Sequence, residues 1–412
     1  MTALRARTRR LDADVDLLRF AGPDGVLFER GRSGLAGRGC AARLRWPGGD
    51  PAAAARSVAE ALAGIEVDDE VRLPGSGPVA FGTLPFAPGA ASELMVPAVV
   101  AGRADDGTRW LTTIGEGATD AGRPHLEADA EHLPAVQRFT VTAQRDPEDW
   151  CALVEEATKA MAGAMTGSDL HKVVLARQID ITADGAIDRL AVLQRLRSAY
   201  PGCHIVSVDG FVAASPELLV SVAGDIVRSH PMAGTAPRGG DPTTDQRLAA
   251  SLLASTKDRQ EHQITIDMVH DTLLPWCSYL DYEAEPSVVA VANVQHLATM
   301  VEGRLSQPAP SVLELVAALH PTPAVAGWPR DEAVAWIAGH EGFDRRRYAG
   351  TAGWADAAGN GTWAVSVRCA EIDGSSAWVW AGNGIVADSD PATELAETRS
   401  KLQALLSAIV RP

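Results

Sequence analysis

The sequence predicts an α+β fold in which large, mostly antiparallel sheets pack together in the core and helices lie on the outside. Two patterns carry that expectation: short apolar strand runs joined by Gly turns, and helical stretches set between them at intervals. Composition supports it, since 46% hydrophobic and 22% charged residues over 412 positions are enough to bury a large core.

Taken in order, the first strand-like runs include Val79-Ala80-Phe81 and Met95 to Val100, with Gly/Pro/Asp breakers between such runs and an Ala-rich helix from Pro51 to about Ile65. Asp129 to Pro147 reads as a linker. Asp146-Pro147-Glu148 then opens a helix to about Ala164, with Asp as N-cap and Pro at the first helical position. Lys172 to Ala176 is a strand that begins with a lysine, and hairpin-like runs follow at Cys203 to Val208, Phe211 to Val222 and Asp225 to Ser229. A long helix covers about Asp245 to Leu274. Strands return at Val288 to Val294, Trp363 to Cys369 and Ala377 to Ala381, and a last helix runs from Pro391 to about Val410. We divide the chain into residues 1–140, poor in polar motifs, and 141–412, which carry the chemistry; both belong to one compact unit.

Bulk properties exclude several classes. With 37 basic against 53 acidic residues, the net charge of −16 argues against a nucleic-acid surface. Cys40, Cys151, Cys203, Cys277 and Cys369 are scattered and odd in number, which suits neither a disulfide framework nor a zinc site. Arg5, Arg7, Arg9 and Arg10 precede Leu11-Asp12-Ala13-Asp14 instead of an apolar stretch, so no signal peptide is read there. No apolar run approaches the roughly 20 residues that span a bilayer. The expectation is a cytoplasmic monomer with a small-molecule substrate and neither nucleic-acid nor membrane partners.

Two acidic pairs stand out. Asp258 and Glu261, and Glu394 and Glu397, each lie three apart on a predicted helix, which puts both carboxylates on one face. Meeting across a cleft, they would form an all-oxygen site suited to Mg²⁺; read singly, they are solvated helix faces. Lys172 is either a strand-end snorkeler or, if buried, an amine whose neutral form is favoured and which can act as a base. Glu217, inside the apolar stretch Ala214 to Leu219, is either an edge glutamate or a carboxyl whose protonated form is favoured and which can act as an acid. The loops Ala233-Gly234-Thr235 and Gly382-Asn383-Gly384 can bring bare backbone N–H groups to a carboxylate. Arg368 and Lys401 are candidate carboxylate clamps or ordinary surface charges, and His296 taken alone is a half-buried histidine. Dinucleotide, phosphate-loop and nucleophile-elbow motifs are absent.

In order, the segments HKVVLAR (171–177), FVAASPELL (211–219), HPMAGTAPRG (230–239), KDRQEHQITIDMV (257–269), VQHLAT (294–299), HPTPAVAG (320–327), YAGTAGW (348–354), WAVSVRCAEI (363–372), AGNGIV (381–386) and ELAETRSKL (394–402) resemble the chorismate-utilising enzymes. That family includes isochorismate, salicylate, anthranilate and aminodeoxychorismate synthases. The resemblance implies the fold of anthranilate synthase component I, chorismate as substrate and Mg²⁺ as cofactor. It is nearest to the siderophore-type isochorismate synthases, whose product also serves menaquinone synthesis. By the matching positions Lys172 is the general base, Glu217 the general acid, and Glu261 and Glu397 the magnesium ligands, with Asp258 and Glu394 behind them or ligating through water. Gly234, Thr235, His296, Ala324, Arg368, Gly384 and Lys401 match substrate-contacting positions. Lys172 disfavours the aminating branches, so no glutaminase subunit is implied. Ala324 stands where salicylate synthases typically carry threonine, which leaves salicylate synthesis, by further loss of pyruvate, as the rival activity and a non-catalytic chorismate-binding protein as the rival class. Asn383, where the family more often has alanine, would add a contact to substrate or metal. Met300 also departs from the family pattern.

Overall fold

The computed structural model describes residues 4–116, 136–162, 169–291 and 294–411. Among these, strands form three sheets. The largest runs from Phe139–Ala143 through Lys172–Ala183, Ser376–Ile385, Cys369–Asp373, Phe211–Ser215 and His204–Val208. It continues without a break through Val26–Arg30, Ser33–Arg38, Val99–Arg103, Arg109–Glu116 and Leu4–Arg10 to Glu66–Asp69. A second sheet is ordered Cys277–Tyr282, Val301–Leu305, Ile226–His230, Leu218–Ala223, Gly361–Val365, Thr351–Asp356, Val79–Leu84, Ser92–Val96, Ala42–Trp46. The third consists of Met232–Pro237, Val294–Ala298 and Ser287–Val291. Pairing is antiparallel apart from Leu4–Arg10 with Glu66–Asp69, and the α+β class with antiparallel sheets at the core is what the sequence predicts.

Alternation along the strands explains the layering. In Phe211–Ser215 every residue is buried, yet Phe211 and Ala213 belong to the core between the two large sheets while Val212 and Ala214 belong to a second core. Successive side chains point to opposite faces, so a strand apolar at every position is buried on both. The second core is closed by the helices Leu17–Ala21, Arg189–Ala199 and Pro391–Ile409. Helices Pro51–Ala63 and Val312–Leu319 pack on each other and against strands of the second sheet.

Several predicted boundaries shift, each for a local reason. The single helix expected from Asp245 to Leu274 is two, Pro242–Ala254 and Thr256–Leu273. Ser255 between them is extended (φ −70°, ψ 112°), and its Oγ accepts the Asp258 N–H at 3.2 Å, so one serine ends one helix and caps the next. The run Phe211 to Val222 is interrupted at Pro216-Glu217, Met95 to Val100 at Pro97, and Trp363 to Cys369 at residues 366–368, where Arg368 has φ +48°. Val288 to Val294 contains parts of two strands of a hairpin, with residues 292–293 outside the described set. The supposed linker contributes an edge strand, Phe139–Ala143, while its residues 129–135 lie outside the description. Asp146 occupies the N-cap of Pro147–Met161 but makes no side-chain capping bond, and residues 163 and 164 of that predicted helix are also outside the described set.

A buried ion pair fastens the strand that carries Lys172. Arg345 pairs with Glu341, both about 2% exposed or less. Its guanidinium also donates to the carbonyls of Val174 (2.5 Å) and Val325 (3.0 Å), and Glu341 Oε1 accepts the Ala176 N–H at 2.7 Å. One pair therefore ties the helix Arg330–His340, the strand Lys172–Ala183 and the loop holding Ala324 together. Removing one partner would leave the other charge buried and unpaired. Glu341→Ala is expected to lower unfolding stability by about 3–5 kcal/mol, read as a fall in the urea midpoint with unchanged slope.

Candidate active site

The chain passes from the first sheet to the second at Pro216-Glu217 and returns at residues 366–368. Proline cannot donate to a ladder, so the strand ends there and the following glutamate is freed from either sheet. The two crossings lie side by side, since Val365 N donates to Glu217 O and Ala214 N to Arg368 O, each at 3.1 Å. Between sheet and crossing opens a cavity of about 290 Å³, near the lower end for a small-molecule site.

Of the residues matched to catalytic, substrate-contacting or metal positions, all but Lys172 line this cavity. Lys172 lies behind Gly384, 2% exposed, with Nζ 2.7 Å from Glu261 Oε1. The contact is an ion pair by distance without a well-aligned hydrogen bond. A Cβ on Gly384 would sit 2.8 Å from Lys172 Cε and 3.0 Å from Glu261 Oε1, so the glycine is what allows this pair to stand against the strand. Gly234 does the same for Asp258: with φ +76°, its missing Cβ would lie 3.1 Å from the Asp258 Cβ.

Glu217 is buried, and burial pushes its carboxyl up to about 8 against the opposing pull of the Met232 N–H, Lys172 and Arg368. It is therefore protonated at neutral pH. His296 is held well below its ordinary value, first by burial and then by the Arg368 and Lys401 cations. Arg368 Nη2 donates to His296 Nε2 at 2.7 Å, which makes Nε2 an acceptor and places the ring proton on Nδ1, facing Thr235 Oγ1 (3.1 Å) and Gly234 O (3.3 Å). The guanidinium is thereby oriented while its buried Nε has no hydrogen-bond partner among the described residues, leaving a donor for an incoming acceptor.

Both acidic pairs sit in the first two turns of their helices. Ser255 caps Thr256–Leu273 and Asp390 caps Pro391–Ile409, so the carboxylates lie near the positive ends of two helix dipoles. Burial raises Asp258, and the charges of Glu261 and Glu397 raise it further; burial and then Glu397 raise Glu394. Such mutual repulsion marks a place where a cation would be welcome. As they stand, however, the carboxylates form no ready-made cluster for a metal among the described residues. Glu261 is turned to Lys172, and Glu397 Oε1 to Lys401 Nζ at 2.8 Å.

Two expectations change. Lys401, predicted as a free clamp, has its ammonium engaged by Glu397, Gly382 O and Asn383 Oδ1, the last two at 2.9 Å. Asn383, predicted to reach substrate or metal, is off the cavity lining and faces the last helix, because alternation along Ser376–Ile385 gives the cavity face to Gly382 and Gly384. Sequence reasoning also missed Tyr348, Trp380, Lys257 and Thr393 in the wall. Tyr348 lies within quoted motif YAGTAGW, but nothing in its spacing marks a pocket residue.

The family model described as chorismate binding enzyme matches residues 29–410. A Mycobacterium tuberculosis protein provisionally named isochorismate synthase MenF is 39% identical over 348 residues, covering 81% of this chain and 87% of its own length. The isochorismate synthase DhbC of Bacillus subtilis is 36% identical over 345 residues, covering 81% of each. In structure, the menaquinone-specific isochorismate synthase MenF from Escherichia coli superposes with a TM-score of 0.81 over 99% of this chain and 95% of that one; at 24% identity, this speaks for the fold alone.

Because Gly384 makes room for the Lys172–Glu261 pair, Gly384→Ala is expected to cost about 10²-fold or more in turnover with near-native circular dichroism. Near-normal activity in that variant would show that the lysine need not stand where it does. The match over residues 29–410 and the relatives at 39% and 36% identity show that the chain belongs to the chorismate binding enzyme family.

Proposed function

We propose that this protein is an isochorismate synthase, converting chorismate reversibly to isochorismate. The observation that carries the reading is the coexistence, at one cavity, of a buried carboxyl protonated at neutral pH and a buried lysine amine. Paired acid and base are what an exchange of hydroxyl across a diene requires. Lys172 takes a proton from water as the oxygen bonds to C2 of the ring. The double bonds shift, the C4–O bond breaks, and Glu217 gives its proton to the departing hydroxyl, which leaves as water. One water enters and one leaves, so the reaction is an isomerisation, and both groups are reset by proton exchange.

The partnerless Nε of Arg368, oriented by His296, supports its role as clamp for a substrate carboxylate. For magnesium, the donor set fits: the all-oxygen pairs Asp258/Glu261 and Glu394/Glu397 repel one another at the cavity wall. Glu261 and Glu397 would hold the ion, with Asp258 and Glu394 behind them. Bound magnesium would neutralise the ring carboxylate and fix the ring between acid and base. Glu261 is the shared element: as a ligand it would turn its charge from Lys172, freeing the amine to take up the proton. We also propose that residues 1–140 and 141–412 fold as one unit, on the support of the first sheet, which draws strands from both. No described helix is long and apolar enough to cross a membrane.

Purified protein incubated with chorismate and Mg²⁺ is expected to give isochorismate and an incomplete conversion; salicylate with pyruvate as the main products would favour the rival synthase instead. Chelation should stop turnover and Mg²⁺ restore it. Lys172→Ala and Glu217→Gln should each lower kcat by about 10²–10⁴-fold or more while retaining the fold. Isochorismate formation at the native rate by either variant would sink the assignment.

The acid also sets a pH limit. Glu217 donates only when protonated, so kcat/KM is expected to fall as pH rises through about 8. A flat profile across that range would remove Glu217 from the acid role.

A further inference from the structure

Asn383 is 2% exposed, in the last turn-ward residues of Ser376–Ile385, and its side chain makes polar contacts only with the helix Pro391–Ile409 among the described residues. Its amide can be oriented without ambiguity. Lys401 ammonium only donates, so it faces Oδ1 (2.9 Å); the Glu394 carboxylate only accepts, so it faces Nδ2 (3.0 Å), which is also 2.9 Å from the Glu394 carbonyl. Ser389 Oγ donates to the other carboxylate oxygen of Glu394 at 2.9 Å. Lys401 in turn grips Glu397 at 2.8 Å.

We infer that Asn383 is a positioning residue that sets the directions of both Glu394 and Glu397 toward the cavity, and through them the affinity for the divalent cation. One amide serves both carboxylates, directly through Nδ2 and indirectly through the lysine held on Oδ1. An apolar side chain at this site would leave Glu394 with the serine as its remaining side-chain donor and Lys401 one acceptor short. Glu394 would then turn toward solvent or toward Glu397, whose charge already works against it, and Lys401 would be free to lean further onto Glu397 and occupy it. Each movement spoils a carboxylate that the cation needs. Groups that orient ligands in this way typically govern affinity by about 10–100-fold. The inference rests on the magnesium reading above.

The test is Mg²⁺ binding to the full chain without substrate, measured by isothermal titration, for the unsubstituted protein, Asn383→Ala and Ser389→Ala. We expect Asn383→Ala to weaken Mg²⁺ by at least about tenfold, with the Mg²⁺ concentration for half-maximal activity raised by a similar factor and kcat at saturating Mg²⁺ changed far less. Ser389→Ala, which removes the other donor to Glu394, should weaken binding in the same direction. Native Mg²⁺ affinity in a folded Asn383→Ala overturns the inference and leaves the magnesium reading standing. Absence of Mg²⁺ binding by the unsubstituted protein overturns both. Should Asn383→Ala fail to fold, Ser389→Ala decides: weakened binding supports the role and unchanged binding overturns it.

Discussion

The site depends on one constraint of the chain path, the side-by-side crossing between the two large sheets. Strands Phe211–Ser215 and Cys369–Asp373 pair in the first sheet, and Leu218–Ala223 and Gly361–Val365 pair in the second. The two segments that join them must therefore cross together. At such a crossing neither sheet takes up all the backbone groups, and the segments satisfy each other through Glu217 O and Arg368 O. The carbonyls of the proposed acid and of the proposed carboxylate clamp are thus fixed by main-chain bonds, independent of either side chain's chemistry. Arg368 pays for its place with a left-handed backbone at φ +48°, and the fixed backbone keeps the guanidinium at hydrogen-bonding distance from His296.

Burial then does the electrostatic work. The same low-dielectric surroundings raise Glu217 and lower His296, leaving two titratable groups uncharged at neutral pH among fully charged neighbours. A neutral histidine can accept from a guanidinium, which an imidazolium cannot. A protonated glutamate can give up a proton, which a carboxylate cannot. For Glu217 this follows from position between layers alone, since the Met232 N–H, Lys172 and Arg368 all act against its protonation and are outweighed by burial, whereas for His296 the Arg368 and Lys401 cations act in the same direction as burial.

Much of this was legible in the sequence, and the failures have a common origin. The apolar run from Phe211 announced hairpin strands, and the i, i+3 spacing of Asp258/Glu261 and Glu394/Glu397 announced shared helix faces; all four carboxylates reach one cavity. The sheet crossings were not legible as crossings, because Pro216 and Ser366 to Arg368 read as interruptions or continuations of a strand until the second sheet is seen. Ser255 was invisible inside a polar helical run, since its role depends on a bond to Asp258 three residues on. Asn383 was expected to reach substrate or metal and faces the last helix instead, while Lys401 does line the cavity but has its ammonium engaged by protein partners; both outcomes are set by strand alternation and by a helix that arrives only after residue 390. Sequence pattern reports which face a residue shares with its neighbours, and not what the opposite element brings.

The charges around the cavity bear on how an acidic chain would take the dicarboxylate proposed as its substrate. Lys172, Arg368 and Lys401 set positive charge at or beside the wall against the carboxylates of Asp258, Glu261, Glu394 and Glu397; Lys257 is paired outward with Asp388, and Glu217 and His296 are neutral. Most of the wall's negative charge is thus met locally by cations, despite −16 for the whole protein. On the proposed reading, a dicarboxylate and a divalent cation add −2 and +2, so together they leave the local charge as it was, and either alone shifts it by two. Either alone would place two uncompensated charges in a partly desolvated cavity, which is costly. Substrate and cation should therefore each improve the other's binding, reciprocally and by the same factor. The ion pairs Lys172–Glu261 and Lys401–Glu397 belong to the same balance: on the proposed reading, the two carboxylates that would hold the cation are also the partners of two lysines, one of which the chemistry needs as its base.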